Sequence, residues 1–449
     1  MFSSQQVYYS IIGIAIFSYL AALRLFRLPF LTFSSVNYFL AAVLAMIPGY
    51  SVANGTFLDR SLSRGFDSTV YLLFIAYTVT LTGASLIAQI VAKRYALLGK
   101  ARPDPILRCW IVAAFVAIYA YAYFSWLPHV PLVNLISGRA GFGEAAAQRL
   151  EITHQLGDSD EHLPFVFRYW RTVLQYWAIT ICFMFAFYRQ TRGTVPTIIY
   201  YLYVIGTAFL LAFTLEKALL VDFLFGMLVI PYLFAERIRL RSVILIAVGC
   251  ALISMAAIAV FMGGTINELP EALLERFNGQ TSSVYVQIEY VREHGFLGLR
   301  GIQMPFSSWF LGKDYFVDLG REAYATMFPN NANAGLLGSV AGLSLADLYF
   351  AFGWTGVPIF AGMIALYSWV DIVWRNGFVV ANVGNDFRRI NGAFYVLGMA
   401  LFSLTYVSSV FMIIAIPLGL SAQGILILVL YLFFIRIGSL RIKRMIQRR

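Results

Sequence analysis

Residues 68–92 read STVYLLFIAYTVTLTGASLIAQIVA, twenty-five positions without a charge, and Lys93 and Arg94 follow at once. As an α-helix such a run is about 37 Å long at 1.5 Å per residue, enough to cross roughly 30 Å of hydrocarbon. A lone strand could not satisfy its backbone in lipid, so the run predicts a membrane-crossing helix. Ten more apolar runs lie near 7–23, 36–53, 109–128, 169–188, 194–214, 217–234, 242–262, 345–374, 391–413 and 417–436. The 449 residues are 60% hydrophobic and 12% charged, which excludes an ordinary soluble domain. The expectation is an all-α integral membrane protein of about eleven spans, with twelve as the alternative count, in one polytopic domain over 1–449.

The formal net charge of +11 is not read as nucleic-acid binding, because the cations concentrate beside the spans. One set of loops, with the chain's last residues, holds 21 of the 33 Lys and Arg, mostly in short segments. The other set holds 12, mostly in two long loops whose charges carry little orienting weight. This predicts an outward N-terminus, a cytoplasmic C-terminus, and outward loops at 129–168 and 263–345. Met1–Gln6 shows no basic segment or small-residue cleavage site, so the first run reads as a retained span. Cys109, Cys182 and Cys250 each fall in an apolar run and read as small core residues.

Ionisable residues gather on the predicted outer side. His129, His154, His162 and His294 all fall there. Arg168 and Arg171 stand three apart at the start of the fifth span and share a helix face. Glu216 and Lys217 occupy the tight turn between spans six and seven. Arg276 and Arg300 flank a stretch of helical character in the 263–345 loop, whose cations alternate with Phe277, Tyr285, Tyr290, Trp309 and Tyr315. Guanidinium forks interleaved with aromatics suit a ligand with negative charge and sugar-like faces.

Each residue also has a plainer role. An interfacial Arg snorkels to headgroups, Glu216 can simply hold Lys217, and Asp347 can complement a helix N-terminus. The acidic stretch His154–His162 matches no metal-ligand spacing, and Asp222 and Asp371 read as helix-pairing groups. No nucleotide-binding loop, nucleophile elbow, HExxH or paired cysteines occur. No metal or cofactor is expected.

The order of features carries a resemblance. Arg149 precedes Phe165-Val166-Phe167-Arg168-Tyr169-Trp170-Arg171. Then come Leu215-Glu216-Lys217-Ala218 and Leu274-Glu275-Arg276-Phe277. Last, Gly338-Ser339 leads to Asp347-Leu348-Tyr349-Phe350-Ala351-Phe352-Gly353-Trp354-Thr355-Gly356. Over about residues 130–365 this resembles the Wzy-type oligosaccharide repeat-unit polymerases, O-antigen and enterobacterial-common-antigen-like.

The resemblance implies a GT-C-like polymerase or ligase fold in the bacterial inner membrane, with short helices in the large periplasmic loop. It implies a metal-independent glycosyltransferase that joins undecaprenyl-pyrophosphate-linked oligosaccharides. Arg168, Arg171, Lys217, Arg276 and Arg300 would bind pyrophosphate; Asp347, His294 or Glu216 would be the base. The implied partners are these lipid-linked substrates, membrane lipid, a chain-length regulator (a polysaccharide co-polymerase) and a flippase. The alternative is an O-antigen ligase, or a transporter of lipid-linked oligosaccharide.

Overall fold

The computed structural model describes residues 4–39, 68–141, 165–167, 170–215, 218–234, 283–302, 310–312, 315–329, 343–380, 383–408 and 422–445. Positions 42, 144–145, 148–149, 152, 241–242, 244–245, 248–249 and 252 are described as well. Four helices are long and apolar enough to cross a membrane: Gln6–Leu25, Ser68–Ala92, Pro105–Trp126 and the composite Ser344–Val379. Helices at 178–192, 197–212, 218–233, 385–408 and 422–434 occupy five further apolar runs.

In chain order the elements used below are α1 (Ser4–Leu25), α2 (33–39), α3 (Ser68–Ala92), β1 (Tyr95–Leu98) and α4 (Pro105–Trp126). Next come α5 (Ala178–Arg192), α6 (Thr197–Ala212), α7 (Ala218–Leu233), α8 (283–294) and α9 (Leu319–Met327). The last are α10 (Ser344–Phe352), α11 (Gly356–Val379), α12 (Asn385–Ser408), α13 (Ala422–Phe434) and β2 (Arg441–Arg444). The most apolar stretch of α3 is 50% buried, against 28% for α1, which makes α3 the inner of the two.

Polar side chains join these apolar helices. Tyr19 of α1 stacks on Tyr38 of α2 with ring centroids 3.7 Å apart. Gln89 of α3 donates to the Tyr19 hydroxyl at 3.0 Å, and Thr82 donates to Tyr38 at 3.0 Å. Ser368 of α11 reaches Ser85 of α3 at 3.2 Å. Where lipid tails are as apolar as leucine, such bonds and close packing are what favour one helix arrangement over another. Cys109 and Cys182 are buried free thiols; Cys250 lies outside the described residues.

The ends of the helices sort into two groups. At one end, Asn376 near the end of α11 donates to the Tyr95 carbonyl at 2.9 Å, Arg108 of α4 donates to the Phe433 carbonyl at 3.1 Å, and Arg192 meets Asp386 at 3.2 Å. At the other end Tyr119 donates to the Val166 carbonyl at 2.6 Å, and Arg292 donates to Thr69 at 3.2 Å. The first group carries the short cationic loops, so the sequence's division into two loop sets matches the helix ends that touch.

Two features depart from the sequence reading. The first is a two-stranded antiparallel sheet, β1 with β2, between segments read only as charged loop and tail. The second is a break in the 345–374 run, where α10 ends and a 3-10 turn over Gly353–Thr355 leads into α11. Gly353 has φ 62 and ψ −147, a conformation that side chains with a Cβ essentially never adopt. Hydropathy is blind to that break because all three pieces are apolar.

Candidate functional site

Of the predicted site residues, the structure describes Arg171, His294, Arg300 and Asp347. Arg168, Glu216, Lys217 and Arg276 lie outside the described residues.

Asp347 sits in the first turn of α10 and is half-buried. The chain reaches α10 from the 294–302 segment through a backbone bond from Leu297 N–H to the Phe350 carbonyl at 2.9 Å. Phe296 packs edge-on to Tyr349 at 5.8 Å and lies against Gly353. That segment forms the 3-10 turn Gly298–Gly301, which carries Arg300. The Arg300 carbonyl accepts from Val317 N–H at 2.9 Å, and its Nε donates to the Tyr315 carbonyl at 3.4 Å. Asp318 follows, caps α9 by accepting from Arg321 N–H at 3.1 Å, and lies within electrostatic reach of Asp347. Arg300 and Asp347 are thus carried by neighbouring elements of one corner.

His294 ends α8 just before Gly295, where the backbone turns with φ 78. Its ring stacks on Tyr290 at 4.3 Å, and Nδ1 lies 2.9 Å from the Tyr290 carbonyl. A carbonyl only accepts, so Nδ1 is the donor here, and in the neutral ring Nε2 then keeps its lone pair. That tautomer suits a base, although the same contacts describe an exposed helix-end histidine.

Arg171 is placed by different neighbours. It lies over the Trp170 ring at 5.4 Å; Trp170 is fully buried, stacked on Tyr123 at 5.5 Å and edge-on to Phe213 at 5.2 Å. Phe213 begins the turn that runs through Leu215, at φ 61, towards Glu216 and Lys217. Trp170 thus links Arg171 to α4 and this turn, whereas Arg300 bonds to residues 315–317 and its turn is tied to α10 through Leu297.

The sequence reading missed the turn that Arg171 opens. Residues Arg171–Trp177 are π-helical before α5 begins, a rare arrangement that occurs frequently at functional sites. Thr172 and Gln175 on it are fully buried; among the described residues the Thr172 hydroxyl and both amide atoms of Gln175 have no hydrogen-bond partner. An unmade bond of this kind costs about 1–3 kcal/mol. Two polar residues inside an otherwise apolar run were the available signal.

Among the described residues no group of three or more His, Cys, Asp or Glu is arranged to hold a metal ion. No family model, curated protein or solved structure matches the chain. The fold and site define a mostly helical chain with membrane-length apolar helices and an ionisable corner at one end.

Proposed function

We propose that this chain is an integral-membrane glycosyltransferase that polymerises undecaprenyl-pyrophosphate-linked repeat units on the outer face of the bacterial inner membrane. The observation that carries the reading is the corner where Asp347, half-buried on the broken α10–α11 helix, neighbours the Arg300 turn. It lies at the start of α11, whose 24 residues span about 36 Å before reaching the cationic end. The excess of Lys and Arg at that far end supports a cytoplasmic placement for it, with the N-terminus and the Asp347 corner outside.

In the proposed reaction a sugar hydroxyl of the incoming unit attacks the anomeric carbon of the growing chain. The bond from that carbon to the lipid pyrophosphate breaks, and the hydroxyl proton passes to Asp347, His294 or Glu216. Arg168, Arg171, Lys217, Arg276 and Arg300 stabilise the departing pyrophosphate, a task that oriented cations perform without a metal. General-base help of this kind is worth roughly 10²–10⁴-fold. Gln175 and Thr172 add unused donors and acceptors beside Arg171 for polar atoms of the substrate.

The broken helix also favours a second reading, a transporter of lipid-linked oligosaccharide, because discontinuous helices line many transport sites. An O-antigen ligase shares the donor but needs lipid A core as acceptor. Purified protein given a defined lipid-linked repeat unit, without lipid A, separates these. A ladder of polymer supports the polymerase; an unreacted substrate overturns it in favour of ligase or transporter.

A further inference from the structure

The last described residues of the chain fold back against the segment that follows α3, and together they form a ribbon longer than β1 and β2. Arg102 N–H donates to the Phe434 carbonyl at 2.8 Å, Arg436 N–H to the Lys100 carbonyl at 3.1 Å, and Met445 N–H to the Arg94 carbonyl at 2.6 Å. Between them Lys100 N–H donates to Ser439 Oγ at 2.8 Å, and Tyr95–Leu98 pair with Arg441–Arg444. Residues 94–102 thus run antiparallel to 434–445.

The ribbon is fixed to the bundle. Tyr95 and Leu97 pack on Ile372 and Val373 of α11, and Asn376 donates to the Tyr95 carbonyl. Gly377 approaches so closely that a Cβ there would run into the Leu97 carbonyl oxygen. Arg94 comes two residues after α3 ends, and Arg441 seven after α13 ends. Arg102 lies three residues before α4 begins, so at about 3.3 Å per extended residue both ends of the 94–102 segment stay within about 10 Å of the ends of α3 and α4.

What it presents is cationic and partly apolar. Arg94, Lys100, Arg102, Arg441, Lys443 and Arg444 are all exposed, and Asp104 is the one carboxylate within 93–104 and 434–445. The pairing places Arg441 and Lys443 on one face and Ile442 with Arg444 on the other. Ile437 is 57% exposed and Ile442 52% exposed. Guanidinium and ammonium groups held beside exposed isoleucines at the end of membrane-length helices match an anionic headgroup layer, charge above and acyl boundary below.

We infer that this ribbon is a docking surface for anionic phospholipid headgroups of the adjoining leaflet. The inference is independent of any catalytic activity. A disordered basic tail would give diffuse attraction; here the hydrogen-bonded register holds the cations in a fixed array.

The test uses the delipidated full-length protein in neutral detergent, titrated with phosphatidylglycerol or phosphatidylcholine and followed by native mass spectrometry. Phosphatidylglycerol should bind at least roughly tenfold more tightly, a preference that several cations near the surface readily supply. Raising salt should shrink the preference, as it does for exposed charges. The triple variant Arg441→Gln, Lys443→Gln, Arg444→Gln should lose most of it, while Arg441→Lys with Arg444→Lys should keep it. Equal binding of the two lipids by the wild type, or a salt-independent preference, overturns the inference without recourse to any variant. So does a triple variant of unchanged thermal stability that retains the full preference. An acidic protein or nucleic acid that binds the ribbon and excludes phosphatidylglycerol would also overturn it.

Discussion

Asp371 of α11 accepts two hydrogen bonds from Ser34, one from its backbone N–H and one from its hydroxyl, each at 2.7 Å. The same carboxylate accepts from Phe33 N–H at 3.3 Å and from the Tyr395 hydroxyl at 2.7 Å. Thr32 caps α2 in the ordinary way, its Oγ1 accepting from Ser35 N–H at 3.0 Å. Asp371 supplies an acceptor for the remaining donors of that helix start from more than three hundred residues away. A carboxylate 1% exposed is tolerable only because every bond in this set is made.

Asp371→Ala should therefore destabilise the protein by about 3–5 kcal/mol, because it leaves two N–H groups and two hydroxyls unpaired. Asp371→Asn should cost less, since one oxygen still accepts while the amide N–H opposes a donor. Unfolding in detergent followed by circular dichroism measures both. An alanine variant as stable as the wild type would remove Asp371 as the link between α2, α11 and α12.

Orientation is checked by cysteine labelling in a variant lacking Cys109, Cys182 and Cys250. Ile136 is 76% exposed at the end nearer Asp347, and Ile442 is 52% exposed on the ribbon. In intact spheroplasts an impermeant thiol reagent should label Ile136→Cys and spare Ile442→Cys. The reverse pattern would invert the proposed topology and put Asp347 on the cytoplasmic side.

Replacing one of the proposed pyrophosphate-binding cations by alanine should abolish polymer at normal protein level. Arg300 and Arg276 are the sharpest cases, with Lys217→Ala beside them. Arg→Lys should rescue only in part, because an ammonium lacks the planar two-pronged fork. Polymer near the wild-type level from all the alanine variants would end the assignment.

The base is found by comparing Asp347→Asn, His294→Ala and Glu216→Gln over a range of pH. The base variant should lose roughly 10²–10⁴-fold in rate and with it the acidic limb of the profile. Asp347 is the expected residue because it is half-buried in the corner, whereas His294 is an exposed helix-end residue. An Asp347→Asn variant with wild-type rate and pH profile places the base elsewhere.

Gln175→Leu separates a packing defect from a binding group. Removing an amide that has no partner among the described residues should raise stability slightly, because the leucine forfeits no hydrogen bond there. If the amide binds substrate, polymer formation should nevertheless fall about tenfold or more, the loss of one or two bonds worth roughly 1.5 kcal/mol each. Unchanged activity together with the gain in stability would make Gln175 a structural oddity.

Charge-free runs such as 68–92 were sufficient to read out membrane-length helices, because a backbone in lipid has no other way to bond and twenty-five uncharged, mostly apolar residues have no other place to be. The grouping of loops also followed from the sequence, since alternation along the chain decides which helix ends can meet. A role for Asp371 in pairing helices was legible too, as a lone carboxylate in an apolar run must find donors. Its donors were not legible: Phe33 and Ser34 are remote in sequence, and only packing brings α2 to α11.

The break at Gly353, the π-turn at Arg171 and the ribbon from Arg94 to Met445 were likewise decided by tertiary structure. In each the residues are ordinary for a helix or a loop, and what selects the conformation is a neighbour: Phe296 against Gly353, Trp170 between Tyr123 and Phe213, Leu97 against Gly377. Local sequence sets hydropathy and charge, which are one-dimensional. The position of a carboxylate beside the turn that carries an arginine, or of a cation on a fixed strand, depends on contacts between segments that the chain itself keeps far apart.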